Sequence, residues 1–123
     1  MGGFFLDYLI RGIVRTVRRE VRRNAAEKWV LIEGKVQRFE AKDEPWNNFR
    51  PVVDYSYEVG GESWYGTVTG SSMSRTRVDH VGDAVYALPS IWIRYHPADA
   101  SQSRVLGKDN PNLPFNVDLN EGV

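Results

Sequence analysis

The clearest pattern along the chain is a strict alternation over residues 51–59, in which Val53, Tyr55, Tyr57 and Val59 point one way and Asp54, Ser56 and Glu58 the other. Alternation with period 2 marks a strand buried on one face. Gly60-Gly61 follows. Glycine adopts positive φ without steric cost, so the pair suits a type I′ turn. The spacing then predicts a hairpin reaching Thr69, with Val59 opposite Glu62, Tyr57 opposite Trp64, Tyr55 opposite Gly66 and Val53 opposite Val68. Both strands share one apolar face. Tyr55, Tyr57 and Trp64 are assigned to the core, with Tyr55 filling the gap left by Gly66.

A second pattern has the helical period. Over residues 3–28, Leu6, Leu9, Ile10, Ile13, Val14, Val17 and Val21 fall within an arc of about 140°, beside a similar arc of Arg11, Arg15, Arg18, Arg19, Arg22 and Arg23. This predicts a basic amphipathic N-terminal helix. Arg11/Arg15, Arg15/Arg19, Arg18/Arg22 and Arg19/Arg23 are like-charge pairs at i,i+4, each costing roughly 0.2–0.5 kcal/mol. An anionic surface would relieve them, with Phe4, Phe5 and Tyr8 placed to dip into a lipid interface. In the alternative, Leu6, Leu9, Ile13 and Val17 pack on the protein's own sheet or on a second copy, giving a homodimer, and the arginines face water.

The remaining strands read less cleanly. Trp29, Val30, Leu31 and Ile32 are consecutive apolar residues, which predicts a long strand to about Ala41, buried on both faces at its start and bent or bulged near Gly34. Lys42–Phe49 reads as a loop with Trp46 at its tip. Gly70–Arg77 reads as a loop or irregular edge strand, and residues 81–86 as a turn of helix within an ambiguous stretch. Ser90–His96 is a strand ended by Pro97, with Ile91, Ile93 and Tyr95 on one face and Trp92 and Arg94 on the other. Residues 104–106 are a last short strand, and residues 108–123, containing Pro111 and Pro114, an extended tail over the surface. The expected architecture is therefore mainly β with one N-terminal α-helix: helix 1–28, β domain 29–107 as a small antiparallel barrel or sandwich of five to six strands, and tail 108–123.

Charge sharpens this picture. The 123 residues have zero net charge, but residues 1–28 carry seven Lys/Arg against three Asp/Glu, and the remainder nine against thirteen. An acidic β domain disfavours nucleic acid as a partner. There is no cysteine, which excludes disulfides and thiolate metal sites. The N-terminal apolar residues are interrupted by Asp7, Arg11 and Arg15, so neither a secretory signal nor a spanning helix is read, and a cytoplasmic location at the inner face of the membrane is expected.

Candidate chemistry is sparse. Asp79, His80 and Asp83 with His96 or Asp99 match no established metal spacing. Gly70-Ser71-Ser72 with Arg75 and Arg77 could form a phosphate nest, but has neither a Walker lysine nor a Gly-x-Gly-x-x-Gly run. No serine sits in a nucleophile elbow. No catalytic residue, metal or cofactor is assigned, and the chain is expected not to be an enzyme. The ligand-facing candidates are the aromatics Trp46, Tyr65 and Trp92, which could form a platform for a sugar or peptide, or else fill a second small core.

The order of features, Ile32-Glu-Gly34-Lys-Val36, then Pro51-Val-Val-x-Tyr55-x-Tyr57-x-Val59-x-Gly61, Tyr65-Gly66, Leu88-Pro89, Ile91-x-Ile93-x-Tyr95-x-Pro97 and Ser103-x-Val105-Leu106, resembles the bacterial family catalogued as domain of unknown function 3592. The resemblance covers roughly residues 29–107. It implies a small antiparallel β domain, often attached to transmembrane helices, with no assigned activity. Here the basic amphipathic segment occupies the place of a membrane segment. The function expected is thus a non-enzymatic binding or adaptor module, peripheral to a membrane or to a membrane protein. The alternatives are a homo-oligomeric structural protein or a ligand-binding β domain.

Overall fold

The computed structural model describes residues 26–118. After a 3-10 turn at Ala26–Lys28 the order is β1 (Val30–Glu44), β2 (Asn48–Val59), β3 (Glu62–Thr69), α1 (Arg75–Tyr86), β4 (Ile91–His96) and β5 (Asp99–Arg104), then a 3-10 turn at Gly107–Asp109. The strands form one antiparallel sheet in the order β3-β2-β1-β4-β5.

The sheet curls because β1 serves two partners in turn. Residues Val30–Gly34 pair with β4, and Lys35–Glu44 pair with β2. The handover falls at Gly34, where a Cβ would lie 2.5 Å from the Ser56 carbonyl oxygen and closer still to Ile93 Cδ1. Only glycine permits so close an approach of backbone and neighbour. The register then shifts between Val36 and Arg38, a bulge that adds further bend at Gln37. Curling brings β5 back towards β2 and β3, giving a nearly closed barrel. Tyr55 Oη lies 2.7 Å from Ser103 Oγ, and the Tyr57 hydroxyl donates to the Ala100 carbonyl at 2.5 Å.

Inside lie Val53, Tyr55, Tyr57, Val68, Ile91, Ile93 and Val105, all buried. The hairpin β2–β3 has the register read from the alternation, from Val59↔Glu62 to Val53↔Val68, with Gly60 and Gly61 at φ 61° and 85°. Trp64 is half-buried against this core. The helix α1 packs against β1 and β2 and buries Val78, Val81, Gly82 and Val85 on one stripe. Ser74 caps it, accepting from the Arg77 N–H at 3.3 Å.

Several expectations are corrected. Among the described residues the α-helix is α1, which begins at Arg75 within the stretch 70–77 read as a loop or edge strand. The helix expected over residues 3–28 lies outside the described residues except at Ala26–Lys28. Residues 42–49 are not a loop: β1 runs to Glu44 and β2 starts at Asn48, leaving a turn of Pro45, Trp46 and Asn47. The start of β1 is not buried on both faces, because Val30 and Leu31 are 41% and 46% exposed. Leu31 pairs with Arg94 on the outer face of the sheet. The segment after Asp109 also reaches the interior: Phe115 is buried, and Leu113 and Val117 pack on the core.

Candidate functional site

The three aromatic candidates stand at different places on the fold. Tyr65 lies opposite Ser56 on the outer face of β3 and is 48% exposed. Trp92 lies opposite Glu33 on the outer face of β4 and is 40% exposed. The two strands are not neighbours: β2 and β1 stand between them one way round the barrel, and β5 the other. Trp46 sits roughly 35–45 Å further along β1. No single platform unites them.

Trp92 borders a cleft of about 170 Å³ whose walls include Pro89, Ser90, Asn110, Pro111 and Leu113. Asn110 fixes its rim: Oδ1 accepts from the Trp92 N–H at 2.8 Å, and Nδ2 donates to the Trp92 and Leu106 carbonyls at 2.9 and 3.0 Å. Behind it, Arg94 and Asp109 form a bidentate pair at 2.7 and 2.8 Å. The Asp109 carboxylate raises the already high pKa of the Arg94 guanidinium against the opposing effect of burial.

Trp46 has the most exposed large apolar side chain among the described residues, at 92%. Its backbone and that of Asn47 lie in the left-handed region, at φ 65° and 58°. Asparagine tolerates that region; a bulky indole residue there is an outlier. The base beneath this turn is braced. Asp43↔Phe49 and Glu44↔Asn48 pair across it, and Phe49 exchanges two backbone hydrogen bonds with Met73 at 2.8 and 2.7 Å. The Arg75 guanidinium lies 4.9 Å over the Phe49 ring. Arg50 Nε donates to Glu44 at 3.0 Å, its Nη1 pairs with Asp118, and the Ser72 hydroxyl donates to Glu44. The Ser72 hydroxyl and then Arg50 hold the Glu44 carboxyl below its ordinary range. Glu44 raises Arg50 in return.

The remaining candidates are accounted for by ordinary contacts. Asp79, His80 and Asp83 are exposed along α1, and His96 Nδ1 accepts from the Ala98 N–H at 3.0 Å while its ring meets Trp29 edge-on. Among the described residues no three His, Asp or Glu side chains converge on a metal position. The presumed nest is spent on backbone pairing, since the Gly70 N–H donates to Pro51 and the Ser71 N–H to Asn116. The arginines Arg11, Arg15, Arg18, Arg19, Arg22 and Arg23, the aromatics Phe4, Phe5 and Tyr8, and the stripe of Leu6, Leu9, Ile13 and Val17 lie outside the described residues. Sequence reasoning missed the Arg50 and Arg94 clusters, whose members are far apart in the chain. It also missed the backbone of Trp46, although Pro45-Trp46-Asn47-Asn48 carries a turn signal in its paired asparagines.

No helix of the described residues is long and apolar enough to cross a membrane. No family model, curated protein or solved structure matches the chain.

Proposed function

We propose that the chain is a non-enzymatic binding or adaptor module that associates peripherally with an anionic membrane surface, at the inner face of the cytoplasmic membrane. The observation that carries this reading is the pattern of residues 4–23: six arginines beside an unbroken apolar stripe, with Phe4, Phe5 and Tyr8 at one end. Arginines spaced to repel one another are stabilised by a negative surface, each contributing about 1 kcal/mol near anionic headgroups. The β barrel is then the cargo held at that surface.

The test is co-sedimentation of the full chain with anionic and uncharged vesicles at low and high salt, beside a full chain carrying Arg15→Glu, Arg19→Glu and Arg22→Glu. The reading expects pelleting with anionic lipid at low salt, weakening steeply as salt rises, and lost in the charge-reversed chain. A chain that ignores vesicles and elutes as a salt-insensitive dimer is instead an assembly held by Leu6, Leu9, Ile13 and Val17, because apolar contacts are not screened.

A further inference from the structure

We propose that the β1–β2 turn is a second membrane-contact site, in which the Trp46 ring inserts into the headgroup layer of a lipid bilayer. The inference extends the membrane-surface reading above to a different part of the molecule, and its test separates the two.

Two observations at Trp46 are independent of each other. Its ring is 92% exposed, so it contributes nothing to the core. Its backbone is held at φ 65°, where glycine or asparagine would be at ease. The fold therefore bears a backbone strain at this residue without any return from burial. Strain of this kind clusters at functional positions, where the surrounding structure enforces it. The enforcing structure is the braced base: the Phe49–Met73 backbone pair, Arg75 over Phe49, and the Glu44–Arg50–Asp118 cluster. These fix the last turns of both strands and leave only Pro45, Trp46 and Asn47 projecting, so little side-chain and backbone freedom remains to be lost when the ring is engaged.

The surroundings of the ring favour lipid over a protein partner. Its neighbours Asp43, Pro45 and Asn47 are all exposed and polar or small, and the other exposed large apolar residues lie on α1, β3 or β4 or at the opposite end of β1. A stable protein interface needs about 800 Å² per side with an apolar centre, which a lone ring with a polar rim does not supply. A bilayer interface needs no complementary shape. It accepts an indole with its face among acyl chains and its N–H at headgroup level. Lys42, Asp43, Glu44 and Arg50 around the turn balance in charge, so insertion there depends little on lipid charge or salt. That is the opposite of what the arginines of residues 11–23 require.

The experiment uses the full chain, with vesicles of phosphatidylcholine alone or mixed with phosphatidylserine, at low and high salt, and with brominated acyl chains to quench tryptophan emission. Trp46→Asn keeps the left-handed turn and Trp46→Phe keeps a ring without the N–H. The expected result is that Trp46→Asn lowers vesicle affinity about tenfold on both lipids and at both salts. Trp46→Phe should lose less, and the brominated-lipid quenching of the wild-type chain should fall in both variants. Equal affinity and equal quenching for Trp46→Asn and wild type would overturn the inference. If that silence accompanies a loss in the arginine-reversed chain, the membrane-surface reading stands alone. If arginine reversal changes nothing while Trp46→Asn releases the protein, the turn is the contact and the arginine reading fails. Absence of binding to any vesicle overturns both.

Discussion

Tyr55 Oη and Ser103 Oγ lie 2.7 Å apart and join β2 to β5 across the inside of the barrel, where no backbone pairing links the two strands. The contact depends on Gly66 opposite Tyr55 on β3: a Cβ there would come within 2.5 Å of the tyrosine Cζ and 2.7 Å of Ser103 Oγ. Glycine is needed here for space, not for backbone freedom. Tyr55→Phe should destabilise by about 1–2 kcal/mol, as expected when a buried hydroxyl contact is lost and its partner stays. Gly66→Ala should cost about 3 kcal/mol, because the ring cannot retreat into a packed core. Urea unfolding of the two variants checks both. A Gly66→Ala protein as stable as wild type would show that the ring is not seated as described.

Arg94 and Asp109 should behave differently from the ion pairs on the open face of the sheet. Their side chains are 17% and 9% exposed and bonded twice, whereas Arg38 and Glu40 are 64% and 56% exposed. Charge-assisted bidentate bonds away from water are strong and poorly screened, while exposed pairs contribute little. Asp109→Ala is expected to cost about 2 kcal/mol, nearly unchanged between low and high salt. Glu40→Ala should shift stability by less than about 0.5 kcal/mol. Thermal melts at two ionic strengths distinguish the cases, and a strongly salt-dependent Asp109 effect would contradict the pairing.

Acid should weaken the fold through Asp99. Burial acts to raise its pKa, but hydrogen bonds from the Ser101 hydroxyl, the Gln102 amide and the Ser101 N–H outweigh it, and the carboxyl is held below its ordinary 3.8. A carboxylate with a lowered folded pKa contributes stability that is complete above the unfolded value and disappears as pH falls through the folded one. Wild-type stability should therefore decline below about pH 4, with Glu44 acting in the same sense from its ordinary 4.5. Asp99→Asn should be less stable than wild type at neutral pH, and the gap should narrow as pH falls below the ordinary 3.8. Denaturant midpoints across that range give the answer; a constant gap would mean that the Asp99 charge is not linked to folding.

How much of this was legible in the sequence depended on whether a pattern was local. The β2–β3 register followed from Tyr55, Tyr57 and Gly60-Gly61 because alternation and turn chemistry act within a few residues. α1 was legible in principle: Val78, Val81, Gly82 and Val85 sit at helical spacing behind a Ser74 cap. Its signal was masked by valines and a glycine, whose own preference is against helix, so only packing on β1 and β2, Phe39 included, decides it. The burial of Phe115 could not be read at all. It depends on Gly70 approaching so closely that a Cβ there would overlap the Phe115 ring, and those residues are brought together only by the completed fold. The Arg50 cluster, which spans Glu44, Ser72 and Asp118, was hidden for the same reason. Of the candidate aromatics, exposure at Tyr65 could be inferred from alternation alone, whereas the distances that keep Trp46, Tyr65 and Trp92 apart required the sheet order.

The turn at Trp46 allows a prediction in which stability and binding move in opposite directions. A non-glycine residue in the left-handed region costs about 1–2 kcal/mol, less for asparagine because its short amide can bond to the local backbone. With the ring 92% exposed, replacing it removes almost no buried surface. Trp46→Asn should therefore leave the protein as stable as wild type or more stable by up to about 1 kcal/mol. Truncating an exposed aromatic would otherwise be expected to change nothing, and truncating a buried one would cost about 3–5 kcal/mol. A gain in melting temperature combined with the expected loss of vesicle affinity would mean that this residue is placed for contact at the expense of the fold. A clear fall in melting temperature would instead mean that the indole packs against the protein, and the exposed turn could not then be read as a contact site.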